Sequence, residues 1–315
     1  MSRRAEPTVA GPRWSRRVWL KRLLCAGVGG VATVSTRAEP AASPAGELVL
    51  RLRELERGSA RPLAPGLYLQ SSEDTSRARG EVLARLDLPF SAAASALGPA
   101  ESWCAMLMLH PNIKQCLPLR GSAGMVLDLV MSSQRDGLFA QEHPLRLALT
   151  VRSADPGRMD VELFAERGPL GTRDYRIAIA MAPLDTASTV LRLVYSSAFT
   201  PAGLWMAQAY VNSVARHRIG FTVVDTDNQG RPVHVRGVRG AVERNTMRFH
   251  LAVQSWLAVQ PRPPAERVPA AIEAWFDASE RHAPQLHEVE RADYVARKRA
   301  DFDRLRSAAG AEPRR

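Results

Sequence analysis

The sequence predicts an α+β fold, an antiparallel sheet followed by a long helix, and two observations carry that reading. Five segments, Met125 to Met131, Leu145 to Arg152, Met159 to Ala165, Tyr175 to Met181 and Thr189 to Ser196, place Val, Leu or Ile at period two between Gly, Pro, Asp or Ser clusters. No helical pattern separates them, so hairpin-joined neighbours in a meander are the economical topology. Ala241 to Gln260 then sets Val242, Thr246, Phe249, Val253, Trp256 and Leu257 on one stripe, with Glu243, Arg244, Arg248 and Gln254 mostly off it. That pattern reads as an amphipathic helix with one buried face.

Composition narrows the class. The 315 residues are 45% hydrophobic with a mean hydropathy of −0.19, which describes a globular chain and argues against disorder and a polytopic membrane protein. The formal charge is +11, but residues 1–38 carry +7 of it, which leaves +4 for the rest. Only Lys114 and Lys298 are lysines after Lys21, so no basic stripe marks a nucleic-acid partner.

The remaining elements follow in order. Residues 39–65 mix Pro, Ala and Arg and read as a flexible lead-in, with one short helical pattern in Leu48, Leu52 and Leu55. Gly66 to Gln70 and Gly80 to Leu88 are strand-like, and Pro89-Phe90-Ser91 ends the second and starts a helix over Ser91 to Leu97 with Ser91 as N-cap. Gly98-Pro99 breaks it, a second short helix runs from Ala100 to Leu109, and His110-Pro111 stops that one. After the ladder, Pro201 opens a helix through His217, and Asp225 to Gly230 turns a hairpin between Ile219–Val224 and Val233–Val238. Pro261-Arg262-Pro263-Pro264 bounds a helical extension, 261–315, whose segment 286–305 is mostly charged and reads as a solvated face or a partner surface.

Ser15-Arg16-Arg17-Val18-Trp19-Leu20-Lys21 resembles the twin-arginine export motif, with tryptophan where phenylalanine is usual. Leu23 to Val34 is an apolar stretch too short to span a bilayer, and Thr36-Arg37-Ala38 offers a small-x-small cleavage site. The resemblance implies a signal peptide over 1–38, the twin-arginine translocase as a partner during export, and a periplasmic mature chain beginning near Glu39. Two cysteines then remain, Cys104 and Cys116, and an oxidising compartment favours a disulfide between them. The alternative is a pair of buried small hydrophobes; with only His110 between them, a metal site lacks ligands.

Ala84-Arg85-Leu86-Asp87-Leu88-Pro89-Phe90, then Leu97 and Trp103, resemble the opening of the START-like, or helix-grip, superfamily of polyketide cyclases and lipid-transfer proteins, over roughly residues 66–260. The resemblance implies a curved antiparallel sheet gripping the long helix, with an internal apolar cavity for a lipid-like, hydrophobic or amphipathic small molecule, and binding more often than catalysis. The helix at 201–217 and the hairpin after it depart from the family's meander.

The candidate ligand-binding residues are Trp103, His110, Asn112, Lys114, Tyr175, Arg176, Tyr195, Phe249 and Trp256. His110, Asn112 and Lys114 suit a carboxylate or phosphate head at a cavity mouth, or alternatively a capped turn and a helix end. An enzyme of the same fold, cyclase-like or hydrolytic, would use His110, Tyr175 or Tyr195, and an envelope interaction protein would use the helix at 286–305. Arg236, Arg239 and Arg244 near Gly237 and Gly240 invite an anion site, but Glu243 in the first turn can satisfy that helix end itself. Asp225, Asp227, Asn228 and Gly230 imitate a calcium loop that fails at its twelfth position, Arg236, and His282 and His287 miss the spacing of paired ligands. Neither a catalytic residue, a cofactor nor a metal is predicted.

Overall fold

The computed structural model describes residues 43–122, 124–132, 142–155, 157–213 and 215–311. The export motif and its apolar stretch lie outside the described residues. Ser43 accepts a hydrogen bond from Gly46 N and starts helix α1 (Pro44–Arg57). A hairpin follows, β1 (Leu67–Glu73) and β2 (Arg77–Leu86), then helices α2 (Phe90–Leu97) and α3 (Ala100–Met108). Six strands form the meander: β3 (Ile113–Gly121), β4 (Gly124–Ser132), β5 (Glu142–Asp155), β6 (Arg158–Arg167), β7 (Thr172–Pro183) and β8 (Thr189–Phe199). Helix α4 (Pro201–Ser213), the small hairpin β9 (Val223–Thr226) and β10 (Pro232–His234), and the long helix α5 (Gly237–Ala258) come next. Helices α6 (Pro264–Glu280), α7 (Ala283–Leu286) and α8 (Arg291–Ala311) complete the chain.

The eight strands β1 to β8 form one antiparallel sheet in the order β1-β2-β8-β7-β6-β5-β4-β3, in which β4 to β8 are the meander that the periodicity predicts. Strand alternation puts Leu127, Leu147, Leu163, Ile177, Leu193 and Val82 on one face, and residues of all eight strands share a single core with α5. α5 packs on β1, β2 and β8, while α3 and α8 pack on β3, so several helices together cover the inner face. Register shifts between Ile113 and Gln115, Val151 and Ser153, and Arg173 and Arg176 supply local bends. Contact is closest at Gly80 of β2, where an added Cβ would lie 2.1 Å from Thr246 Oγ1 and 3.1 Å from Val242 Cγ1 of α5. Only glycine admits the helix there.

Five expectations are corrected. Residues 44–57 are a helix and not a flexible lead-in: Leu48 and Leu52 are buried against Tyr68, Leu83, Ala182 and Val190 on the outer face of the sheet. Pro89, not Ser91, caps α2, and it offers no side-chain bond. β3 is a strand that the periodicity does not predict, because Lys114, Gln115 and Pro118 interrupt its alternation. α5 begins earlier, at Gly237, and is buried well beyond its apolar stripe, with Glu243, Arg244, Arg248 and His250 all inside and Gln254 and Ala258 exposed. The segment after 261 is an integral part of the domain rather than an extension.

That last correction has a polar cause. Tyr294, Lys298 and Asp301 fall at i, i+4 and i+7 on the inner stripe of α8, so a search for apolar periodicity passes over them. Tyr294 stacks on Trp275 and donates to Leu109 O at 2.7 Å. Lys298 Nζ donates to Ile113 O at 2.6 Å, and burial lowers its pKa to about 8. The expected partner surface at 286–305 therefore gives one face to internal packing. Cys104 of α3 and Cys116 of β3 form the expected disulfide, with Cα atoms 5.1 Å apart, and it ties down the same corner.

Two substitutions test this packing. Leu52→Ala should lower unfolding stability by about 2–5 kcal/mol, as for a fully buried core leucine, where a flexible lead-in would show no change in a urea titration. Gly80→Ala should destabilise by more than 1 kcal/mol in the same titration, because the backbone of β2 must withdraw from α5.

Candidate functional site

A cavity of about 230 Å³ lies between the inner face of the sheet and α5. Its walls come from the ends of β4 and β5 (Met131, Ser132, His143), from β7 and β8 (Thr172, Tyr175, Tyr195, Ser197, Phe199), and from α4 (Ala207, Val211). α5 forms one whole side, and its contribution changes character along the axis. Val238, Ala241 and Val242 give an apolar first part, while Arg244, Asn245 and Arg248 give a polar second part. Ten residues of helix separate Val238 from Arg248, about 15 Å of rise, so the cavity has an apolar end towards α4 and a polar end. His110 and Asn112, from the turn after α3, together with Arg218 and Glu288 from loops, join the polar end.

The polar end is a connected network. Glu288 accepts from Arg248 at 2.7 Å and from Arg218. Arg248 also donates to Asn245 Oδ1 at 3.2 Å, and Arg244 donates to Ile219 O at 3.1 Å. The Tyr195 hydroxyl is hydrogen-bonded to Tyr175, Asn245 and Ser197, and the two tyrosine rings meet edge to face at 5.3 Å. His110 Nδ1 accepts from Asn112 N at 3.2 Å, its other hydrogen bond runs to Asn245, and its ring lies 5.2 Å from Phe249.

Burial sets the protonation of these groups. Desolvation, with Arg248 nearby, lowers the His110 pKa to about 3, so the imidazole is neutral. Desolvation raises Tyr175 and Tyr195 above the usual phenol range, so both hydroxyls keep their protons. The Glu288 carboxyl is pushed up by burial, but Arg248 and Arg218 outweigh this and hold it low and ionised.

Of the nine candidate residues, the structure brings four to the cavity: His110, Asn112, Tyr175 and Tyr195. Trp103 and Phe249 instead line a separate void of about 10 Å³, too small for an organic ligand, and Trp103 donates to Leu97 O. Arg176 is on the outer face of β7, where it pairs with Glu162 and covers Phe164, because alternation points it away from Tyr175. Lys114 is half-buried on β3 and Trp256 is buried beyond the cavity's end of α5; neither lines it.

Sequence reasoning missed Arg218, Asn245, Arg248 and Glu288, and it raised Arg244 only for an anion site that it then set aside. The first signal for them is the length of α5, since a central helix gripped by a sheet buries its charged positions as well as its apolar stripe. The expected self-capping by Glu243 is also corrected: its carboxylate accepts from Phe221 N, Thr222 N, Thr222 Oγ1 and Ser71, whereas Glu73 of β1 accepts from Arg239 N in the first turn of α5. Among the described residues no cluster of three or more His, Cys, Asp or Glu side chains fits a metal ion.

The depressed His110 pKa has a measurable consequence. Between pH 3 and about 6.5 the unfolded chain binds a proton at His110 that the folded chain refuses, so stability falls as pH drops through that window. His250, lowered to about 4 by burial, acts in the same direction. In urea titrations between pH 4.5 and 6, His110→Gln should flatten the slope by about 1.4 kcal/mol per pH unit, one proton's share. An unchanged slope would place His110 in contact with solvent.

No family model matches the chain, and no curated protein matches it. Solved structures similar to it include the truncated norcoclaurine synthase of Thalictrum flavum, 12% identical over 46% of this chain and 90% of that chain, with a TM-score of 0.32. Human StAR-related lipid transfer protein 5 is 10% identical over 55% of this chain and 87% of that chain, TM-score 0.31. A START superfamily protein from Mycobacterium smegmatis is 17% identical over 39% of this chain and 79% of that chain, TM-score 0.29. By its own topology the described chain is an α+β fold, an eight-stranded antiparallel sheet with the long helix α5 packed on β1, β2 and β8, and this is consistent with the START-like, helix-grip arrangement that the sequence resembles.

Proposed function

We propose that the mature chain is an exported periplasmic protein that binds a small amphipathic molecule in the cavity beside α5 and does not transform it. One observation supports binding above all: the cavity is apolar at one end and hydrogen-bonding at the other, both built from side chains already fixed by the fold. At about 230 Å³ the cavity is at the small end for ligand pockets, which suits a small guest.

Protonation supports binding over catalysis. General acid–base work needs groups that titrate near the working pH. His110 is lowered to about 3, Tyr175 and Tyr195 are raised, and Glu288 is held ionised by two guanidinium groups. All four are tuned away from neutrality. The contact between Tyr175 and Tyr195 inside the cavity is the observation that favours the second reading, an enzyme of the same fold.

Native mass spectrometry of the protein recovered from its host should show one retained small molecule that organic solvent removes, with an unaltered mass after prolonged incubation. A chain that carries nothing and whose unfolding temperature no small amphipathic compound raises would contradict the reading; a changed mass would transfer it to the enzyme. Export has its own test: Arg16→Lys with Arg17→Lys should hold the chain in the cytoplasm at full length, whereas unchanged fractionation would remove the periplasmic assignment.

A further inference from the structure

Helix α4 has the composition of a buried element and the position of a surface one. Its thirteen residues include no Asp, Glu, Lys, Arg or His. One side faces inward: Leu204 and Ala207 pack on the core, Val211 is buried, and Ala207 and Val211 wall the apolar end of the cavity. The other side is apolar as well. Trp205 is 71% exposed, the most exposed large hydrophobic side chain among the described residues, and Met206 beside it is 44% exposed. A surface helix ordinarily turns charged residues to water, so an indole and a thioether side by side on an uncharged one mark a contact face. Arginines stand at both edges of it. α4 sits directly on the turn Pro169–Gly171, where an added Cβ at Gly203 would lie 2.6 Å from Gly171 O, and Arg173 follows that turn by two residues. Arg216 follows the helix by three residues, and Arg236 donates to Arg216 O at 3.4 Å. All three arginines are exposed, and among the described residues none of them is in an ion pair.

We propose that α4 rests on an anionic lipid bilayer, with Trp205 and Met206 set among the head groups and upper acyl chains and with Arg173, Arg216 and Arg236 on lipid phosphates. Charge complementarity selects this occupant. An apolar centre with a cationic rim matches a surface that is apolar beneath and negative above. The indole suits that boundary, since its body is apolar and its N–H is polar, and the guanidinium fork suits phosphate oxygens. A second copy of this face brings the same uncharged helix and the same arginines, with no carboxylate on α4 to pair them. The docking face is the outer side of α4 and the guest lies on its inner side, so the proposal stands apart from the binding reading.

Sedimentation of the protein recovered from its host with vesicles tests this, using phosphatidylcholine alone and phosphatidylcholine mixed with phosphatidylglycerol. The protein should bind the mixed vesicles at least tenfold tighter. Trp205→Gln with Met206→Gln should weaken that binding at least tenfold and keep the unfolding temperature, because both side chains are exposed and glutamine suits a helix. Arg173→Gln with Arg216→Gln should remove the preference for the mixed vesicles. Where the first pair fails to fold, the unaltered protein supplies the check. Phosphatidylcholine brominated in its acyl chains should quench the emission of Trp205, while Trp103, Trp256 and Trp275, which are buried, stay bright. Equal affinity for the two vesicles, binding that survives the Trp205 and Met206 replacements, absent quenching, or a dimer in light scattering that those replacements dissolve would overturn the bilayer assignment. A protein that ignores both vesicles yet retains a small molecule loses this proposal alone; one that binds them while carrying nothing keeps it, whatever becomes of the binding reading.

Discussion

Burial of α5 together with its charged side chains is the constraint on which the rest of the structure depends. A 22-residue helix carrying Glu243, Arg244, Arg248 and His250 needs partners for its charged groups, because an isolated charge in a protein interior costs several kcal/mol, and only single atoms of these residues, Arg248 Nε and His250 Nδ1, go without a hydrogen bond. The partners come from almost everywhere else in the chain. Ser71 and the amides of Phe221 and Thr222 bond Glu243, Ile219 O accepts from Arg244, and Glu288 accepts from Arg248. The segment between α4 and β9 and the loop before α8 therefore lie where they do because the helix needs them.

The cavity follows from the same constraint. Where β2 meets α5, Gly80 lets the two backbones close completely, and no room is left. Further round the sheet, at β7, β8 and the ends of β4 and β5, the strands stand off, and the gap is lined by whatever side chains the alternation and the helix present. Arg244, Asn245 and Arg248 serve two purposes there. They are held by Ile219 O and Glu288 as part of the fold, and they give the gap its charge.

Much of this was legible in the sequence. The five strands from Met125 to Ser196 appear close to their predicted limits: β4 to β7 largely alternate buried with more accessible positions, so a period of two survives in the residues, and β8, buried almost throughout, keeps a run of apolar residues. The resemblance built on Ala84 to Phe90, Leu97 and Trp103 fits the fold observed, with Trp103 buried under the sheet. What was not legible is polar burial. β3 loses its alternation to Lys114, Gln115 and Pro118; α8 packs through Tyr294, Lys298 and Asp301; and the site's arginines occupy helix positions that a one-sided amphipathic pattern assigns to solvent. Arg176 errs the other way, since its neighbour Tyr175 lines the cavity and one step along a strand reverses the face.

The central reading is that the space between the sheet and α5 is a binding site for one small amphipathic molecule. A crystal of the protein recovered from its host, with no ligand added, tests it most directly. The account predicts continuous density for one small molecule running between Arg248 and Val238. Separated solvent peaks there, or a molecule bound only on the outer surface, would contradict it.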